Sequence, residues 1–130
     1  LSELVEPILL AHPHLDKSEL MKTLIERERL GSTGLGGGVA IPHGKCEGLA
    51  RLAASFGRSA RGVDFSSMDN KPTYLFFLLL APKNCAGEHL KALARISRLF
   101  KDPLLTSGLK QAESANQVIK LIEEHDLRYP

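Results

Sequence analysis

The sequence predicts a layered α/β fold, in a single domain spanning residues 1–130. Segments with apolar residues at helical spacing alternate with short segments of strand character. One of the latter, Thr73 to Leu80, is almost wholly apolar and is bounded by Pro72 and Pro82, the pattern of a central strand covered on both faces. No repeat, linker or low-complexity block divides the chain. At this length a domain buries roughly two-thirds of the surface its unfolded chain exposes, enough for a core without disulfide staples.

The elements follow in chain order. Leu1, Leu4, Val5, Ile8 and Leu9 draw one helical stripe over residues 1–10 despite Pro7, and His12, Pro13 and His14 break it. Asp16 with Glu19 three places on is a capping pattern that starts a second helix, whose buried stripe is Leu20, Leu24 and Ile25. That helix ends near Leu30, with Gly31 expected in a left-handed cap. Residues 31–38 hold five glycines, too many for a regular element, and read as a loop that delivers the chain into a short strand at Val39–Ile41. Pro42 cannot donate a ladder hydrogen bond, so the strand is expected to stop there and present His43 at its tip. Leu49 to Phe56 has the apolar character of another strand. Arg61 to Pro72 reads as a connection with a short extended piece at Val63 to Phe65. From Ala86 to Phe100 the positions Leu90, Leu93, Ile96, Leu99 and Phe100 recur at helical spacing, and Asp102-Pro103 closes the segment. Leu104 to Leu109 predicts a short helical turn, and Ser114 with Gln117 caps a last helix running toward His125.

Composition excludes several function classes. Seventeen basic against fifteen acidic residues leave a net charge of +2, and 43% of residues are hydrophobic. Neither a disordered tail nor an electrostatically driven nucleic-acid binder fits these values. The longest apolar run, Tyr74 to Ala81, is far short of the roughly 18 residues of a membrane-spanning helix, so no membrane insertion is expected. Cys46 and Cys85 form no Cys-x-x-Cys pair, so neither a disulfide framework nor a zinc knuckle is visible, and a reducing cytoplasmic setting is the simplest. The chain opens on Leu1 with no basic and apolar leader, which reads as a trimmed edge without a signal peptide.

Two glycine signatures fail. A dinucleotide-binding pattern started at Gly34 and Gly36 puts Val39 where its third glycine belongs. A phosphate loop over Gly38 to Lys45 has one residue too many between its glycines, and Cys46 stands where Ser or Thr would bind magnesium. What remains is a glycine-rich loop feeding Ile41-Pro-His-Gly44. Glycines 34, 36, 37, 38 and 44 leave backbone N–H groups unshielded, which can form an anion-binding concavity beside the imidazole, and Ser32 and Thr33 add hydroxyl donors. An isolated loop histidine is more often a plain surface residue. Arg27 reads equally as a phosphate fork or as part of a solvated helix end, Leu35 as a partner contact or a core plug, and Lys45 as a surface lysine. Cys46 reads as a small, partly buried thiol, His12 and His14 as loop residues, and Asp64 and Asp69 as turn formers.

The segment Arg27-Glu-Arg-Leu-Gly-Ser-Thr-Gly-Leu-Gly-Gly-Gly-Val-Ala-Ile-Pro-His-Gly-Lys45 resembles the active-site segment of enzyme IIA of the bacterial phosphotransferase system, fructose–mannitol type. Phe65-Ser-Ser-Met-Asp-Asn-Lys-Pro72, Tyr74-Leu-Phe-Phe-Leu-Leu-Leu-Ala-Pro82 and Glu88-His-Leu-Lys-Ala-Leu93 extend the resemblance, in order, over nearly the whole chain. It is strongest to the nitrogen-regulatory, stand-alone branch. The resemblance implies a mixed, largely parallel sheet with helices on both faces, and a domain whose first strand and part of whose first helix lie upstream of this chain. It implies that His43 accepts a phosphoryl group from a histidine phosphocarrier protein, that His89 stabilises that group, and that Arg27 neutralises its charge. It assigns Ser32, Thr33, Gly34, Gly36 and Gly44 to a phosphate-binding loop, with Gly37 where many relatives carry Asn. No cofactor or metal is implied. Partners beyond the phosphocarrier are regulatory target proteins in one reading and a IIB component for carbohydrate uptake in the other. A thiol or metal hydrolase built on His43 and Cys46 is the outlying alternative, separable by zinc content.

Overall fold

The computed structural model describes residues 2–65, 71–84 and 86–128. Asp69 and Cys85 therefore lie outside the described residues. Helix α1 (Ser2–Ala11) contains Pro7, and helix α2 (Lys17–Leu30) is capped by the Asp16 carboxylate, which accepts from the Ser18 and Glu19 N–H groups at 2.8 and 3.5 Å. Gly31 closes α2 at φ 156° and ψ 143°, a positive-φ conformation suited to glycine but outside the helical left-handed region of the expected cap. The chain continues through strands β1 (Gly34–Gly36), β2 (Val39–Ala40), β3 (His43–Cys46), β4 (Ala53–Val63) and β5 (Thr73–Pro82). Helices α3 (Ala86–Leu99), α4 (Pro103–Gln111) and α5 (Ala115–Arg128) complete it. The short turn expected at 104–109 is thus a full helix, with Asp102 capping the Leu104 N–H at 2.9 Å and Pro103 at the first helical position, where its missing N–H costs nothing. Ser114 caps the Gln117 N–H at 3.2 Å, as its pattern predicts.

The glycine-rich segment is not simply a loop. β1 and β2 pair antiparallel as a small hairpin, and the turn between them needs glycine because Gly36, Gly37 and Gly38 have φ of 84°, 64° and 83°. The next strand does end before Pro42, at Ala40, but pairing resumes at His43. β2 pairs parallel with β5 through Val39 and Leu75, and β3 pairs parallel with the same strand through His43 and Leu79, in one unbroken register. Pro42 sits inside this line, lacking a donor, while its carbonyl accepts from the Leu79 N–H at 3.0 Å. His43 therefore opens a second strand in line with the first and is not a free tip.

The strand expected at Leu49–Phe56 begins later and runs much further. β4 pairs antiparallel with β5 from Ala53 opposite Leu80 to Val63 opposite Thr73, with a register shift between Arg58 and Val63. Residues 61–63 thus belong to the strand and not to the connection. Arg61 and Gly62 read as the start of a connection because β4 is an edge strand, with β5 as its one strand partner among the described residues.

Alternation along β5 divides the core. Phe76, Leu78 and Leu80 face Leu4, Val5, Ile8, Leu20 and Leu24 of α1 and α2. Leu75, with Phe77, faces Leu99, Phe100, Leu105 and Leu109 of the α3–α4 side, where α5 adds Val118, Leu121 and Ile122. The result is a mixed α/β sheet with helices on both faces, as the sequence predicts. Among the described residues no helix is long and apolar enough to cross a membrane.

Candidate functional site

His43 opens β3, next to Gly44. A Cβ at Gly44 would lie 3.1 Å from Thr23 Cγ2 and 3.7 Å from Leu24 Cδ2, so residue 44 faces α2 at close quarters. Strand alternation then turns His43 to the opposite face, toward α3. The imidazole is fixed at both nitrogens. Nδ1 lies 2.9 Å from the Ile41 carbonyl oxygen, which can only accept, so Nδ1 carries the proton. Nε2 is left with its lone pair, and Arg27 Nε donates to it at 3.3 Å. Both bonds select one tautomer, with Nε2 as the nucleophilic nitrogen.

His89 stands in the first turn of α3, buried to 7% exposure. Its ring centroid is 5.6 Å from that of His43, with the planes at 82°. Its buried Nε2 has no hydrogen-bond partner. The cationic form of His89 is disfavoured and its pKa lowered, by burial first, then by the charges of His43 and Lys45. Burial is the leading cause.

Arg27 is not a solvated helix end. It is half-buried, and its second branch donates to the Gly31 carbonyl at 2.7 Å, which braces the guanidinium against the end of its own helix. The residue beside it, Glu28, carries no role in the sequence reading yet is placed as firmly. Its carboxylate accepts from the Thr33 N–H at 3.1 Å and from the Thr33 hydroxyl.

The anion nest read from the glycines is not built as expected. The Thr33 hydroxyl is taken by Glu28, the Ser32 hydroxyl donates to the Phe65 carbonyl at 2.7 Å, and the Gly34 N–H donates to the Ser32 oxygen at 3.0 Å. Gly36 and Gly37 form the hairpin turn, beyond Val39, and line a groove with Leu35, Phe100, Lys101 and Pro103. At the usual rise of about 3.3 Å per residue, the strand from Val39 to His43 puts that turn roughly 13 Å from the imidazole. Gly44 serves the close approach of α2. Leu35, half-buried, packs on the α3–α4 side of the core, which favours the plug reading, and also lines that groove. Cys46 is a half-buried thiol donating to the Glu47 carbonyl at 3.2 Å; burial, then the Glu47 charge, raises its pKa against the pull of Lys83. Among the described residues no group of three or more His, Cys, Asp or Glu is placed to hold a metal ion. What the fold does bring together is the Nε2 lone pair of His43, the Arg27 guanidinium, His89 and the charge of Lys45.

Residues 1–125 match the family described as phosphoenolpyruvate-dependent sugar phosphotransferase system, EIIA 2. The chain is 44% identical over 103 residues to a nitrogen regulatory protein of Bradyrhizobium diazoefficiens, covering 79% of this chain and 67% of that one. It is 36% identical over 109 residues to the fructose-specific EIIA component of the phosphotransferase system of Haloferax volcanii, covering 84% and 71%. The crystal structure of nitrogen regulatory protein IIA-Ntr from Neisseria meningitidis superposes with a TM-score of 0.80 at 38% identity, over 84% of this chain and 75% of that one.

Proposed function

The chain belongs to the EIIA 2 family of the phosphotransferase system and is a phosphoryl carrier of that system, and on this premise we propose that Nε2 of His43 is the phosphoryl acceptor. The supporting observation is the fixed tautomer: a lone pair on Nε2, a proton on Nδ1 and a carbonyl behind it. In the transfer, the Nε2 lone pair forms the new N–P bond while the N–P bond of the donor's phosphohistidine breaks, and that electron pair returns to the donor imidazole. The ring of His43 gains positive character and keeps its Nδ1 proton, so the Ile41 carbonyl stabilises the developing charge. The transition state is loose and spreads charge over the equatorial oxygens, which makes alignment and charge stabilisation the protein's task. Arg27 supplies a fixed cation, and the unpartnered Nε2 of His89 is a donor for a phosphoryl oxygen.

The donor in this reading is a histidine phosphocarrier protein, docking over exposed apolar side chains beside the site. Leu30, one helical turn beyond Arg27, is 86% exposed, and Leu90, next to His89, is 69% exposed. A signalling role, with phosphorylation state selecting regulatory partners, is supported by the nitrogen regulatory relatives. Delivery to a IIB component for carbohydrate uptake is the second reading, supported by the fructose-specific relative. Incubation with phosphoenolpyruvate, the first enzyme of the cascade and its phosphocarrier should add one acid-labile phosphate, and His43→Ala should abolish it. Undiminished labelling of that variant would move the acceptor elsewhere. Subsequent transfer to purified IIB proteins separates the two roles.

A further inference from the structure

Two consecutive residues at the end of α2 hold the two nitrogens of His43 by different routes. Arg27 donates directly to Nε2. Behind Nδ1 stands the Ile41 carbonyl, and the N–H of the same residue donates to the Thr33 carbonyl at 3.1 Å. Thr33 is itself bound by the Glu28 carboxylate through both its N–H and its hydroxyl. A continuous hydrogen-bonded path therefore runs from Glu28 through Thr33 and Ile41 to the ring of His43. We propose that Glu28 is a positioning residue for the phosphoryl acceptor, holding His43 with its proton on Nδ1 and its lone pair on Nε2. This deepens the assignment of His43 and rests on it.

The physical case begins at Thr33. It is 5% exposed, so its two donors have no water to turn to if the carboxylate is removed. Losing a buried partner costs the full desolvation of the group left behind, and the segment would shift to recover a bond. Ile41 is joined to that segment by its N–H, so a shift of Thr33 reaches the carbonyl that defines the tautomer. With the carbonyl displaced, the proton is no longer held on Nδ1, and a share of the rings would carry it on Nε2. Such rings have no lone pair on Nε2 and cannot accept a phosphoryl group there. Arg27, attached through α2 and the Gly31 carbonyl, still donates to Nε2, so the shift is partial and not complete.

Nitrogen NMR of the imidazole reads the tautomer without any phosphoryl donor, and single-turnover labelling reads the rate. Glu28→Ala should raise the Nε2–H fraction of His43 and slow labelling by up to about 100-fold, the order that a displaced reacting group can cost. Glu28→Gln keeps an acceptor oxygen and should fall between the two. A folded Glu28→Ala with the wild-type tautomer and rate overturns the proposal. If Glu28→Ala does not fold, Glu28→Gln is judged by the same criterion. Failure of the wild-type protein to accept phosphate would instead remove the functional assignment, and the NMR arm would still report on the positioning.

Discussion

At the scale of single residues, an imidazole pinned by a carbonyl at one nitrogen and a guanidinium at the other has lost the freedom that makes most surface histidines poor nucleophiles. The contribution of Arg27 is measurable because its second anchor on Gly31 keeps the guanidinium from following solvent. Arg27→Ala should lower the single-turnover rate about 10²–10³-fold, the range typical of removing one preorganised electrostatic donor. Arg27→Lys should restore only part of it, since a point charge cannot bond His43 and Gly31 together. An unchanged rate in Arg27→Ala would return the residue to a helix-capping role. His43, His89 and Arg27 are legible in the sequence through the motifs that flank them. Glu28 is not, because its partner Thr33 lies past the helix end, where spacing gives no periodic signal. The available hint is an acidic residue in the last turn followed by Ser32-Thr33, a carboxylate near two hydroxyls with no regular element between them. The glycine nest misleads for a related reason: glycine count shows that the backbone must turn, not which end of the strand the turn occupies.

At the scale of elements, the decisive feature is a strand interrupted by proline yet kept in register. β2 and β3 remain aligned on β5 across Ile41 and Pro42, and this sets the imidazole at a defined height on the sheet. Local rules stop the strand before Pro42, as β2 does, but miss that pairing resumes at His43, because they weigh the missing donor and not the carbonyl that still accepts from Leu79. They also place β4 too early, since apolar character marks its paired and covered start better than its open, arginine-bearing end. Gly44 is the joint between this strand and α2. Gly44→Ala would press a methyl group against Thr23, which stands 3.1 Å from the added Cβ, and overpacking of this kind typically costs about 1–3 kcal/mol. The loss should appear in chemical denaturation, and pairing the change with Thr23→Ser, which removes the crowding methyl, should recover much of it. No recovery in the double variant would mean that the strain lies in the backbone.

For the molecule as a whole, β5 is the shared wall between two cores, and the His43–His89 contact joins β3 to α3. The two-sided apolar pattern of Thr73 to Leu80 made that architecture legible from sequence, whereas the packing of His89 against His43 is a product of the assembled layers. Its consequence is a pH dependence of global stability. His89 is buried with its pKa lowered, principally by burial, so the folded protein resists a proton that the unfolded chain accepts near the ordinary histidine value of about 6.5. Above that value both states are neutral at this residue and it leaves stability untouched. As pH falls below it, the unfolded state binds the extra proton and stability declines until the lower folded pKa is passed. Other titrating groups contribute to the same curve, so the informative quantity is the difference from His89→Gln, which keeps a polar side chain but takes up no proton. Denaturant melts between about pH 5 and pH 8 should show a shallower acid-side loss for the variant than for the wild type. Parallel curves would mean that His89 titrates alike in both states, and the burial argument for its neutral, donor-ready form would fail with them.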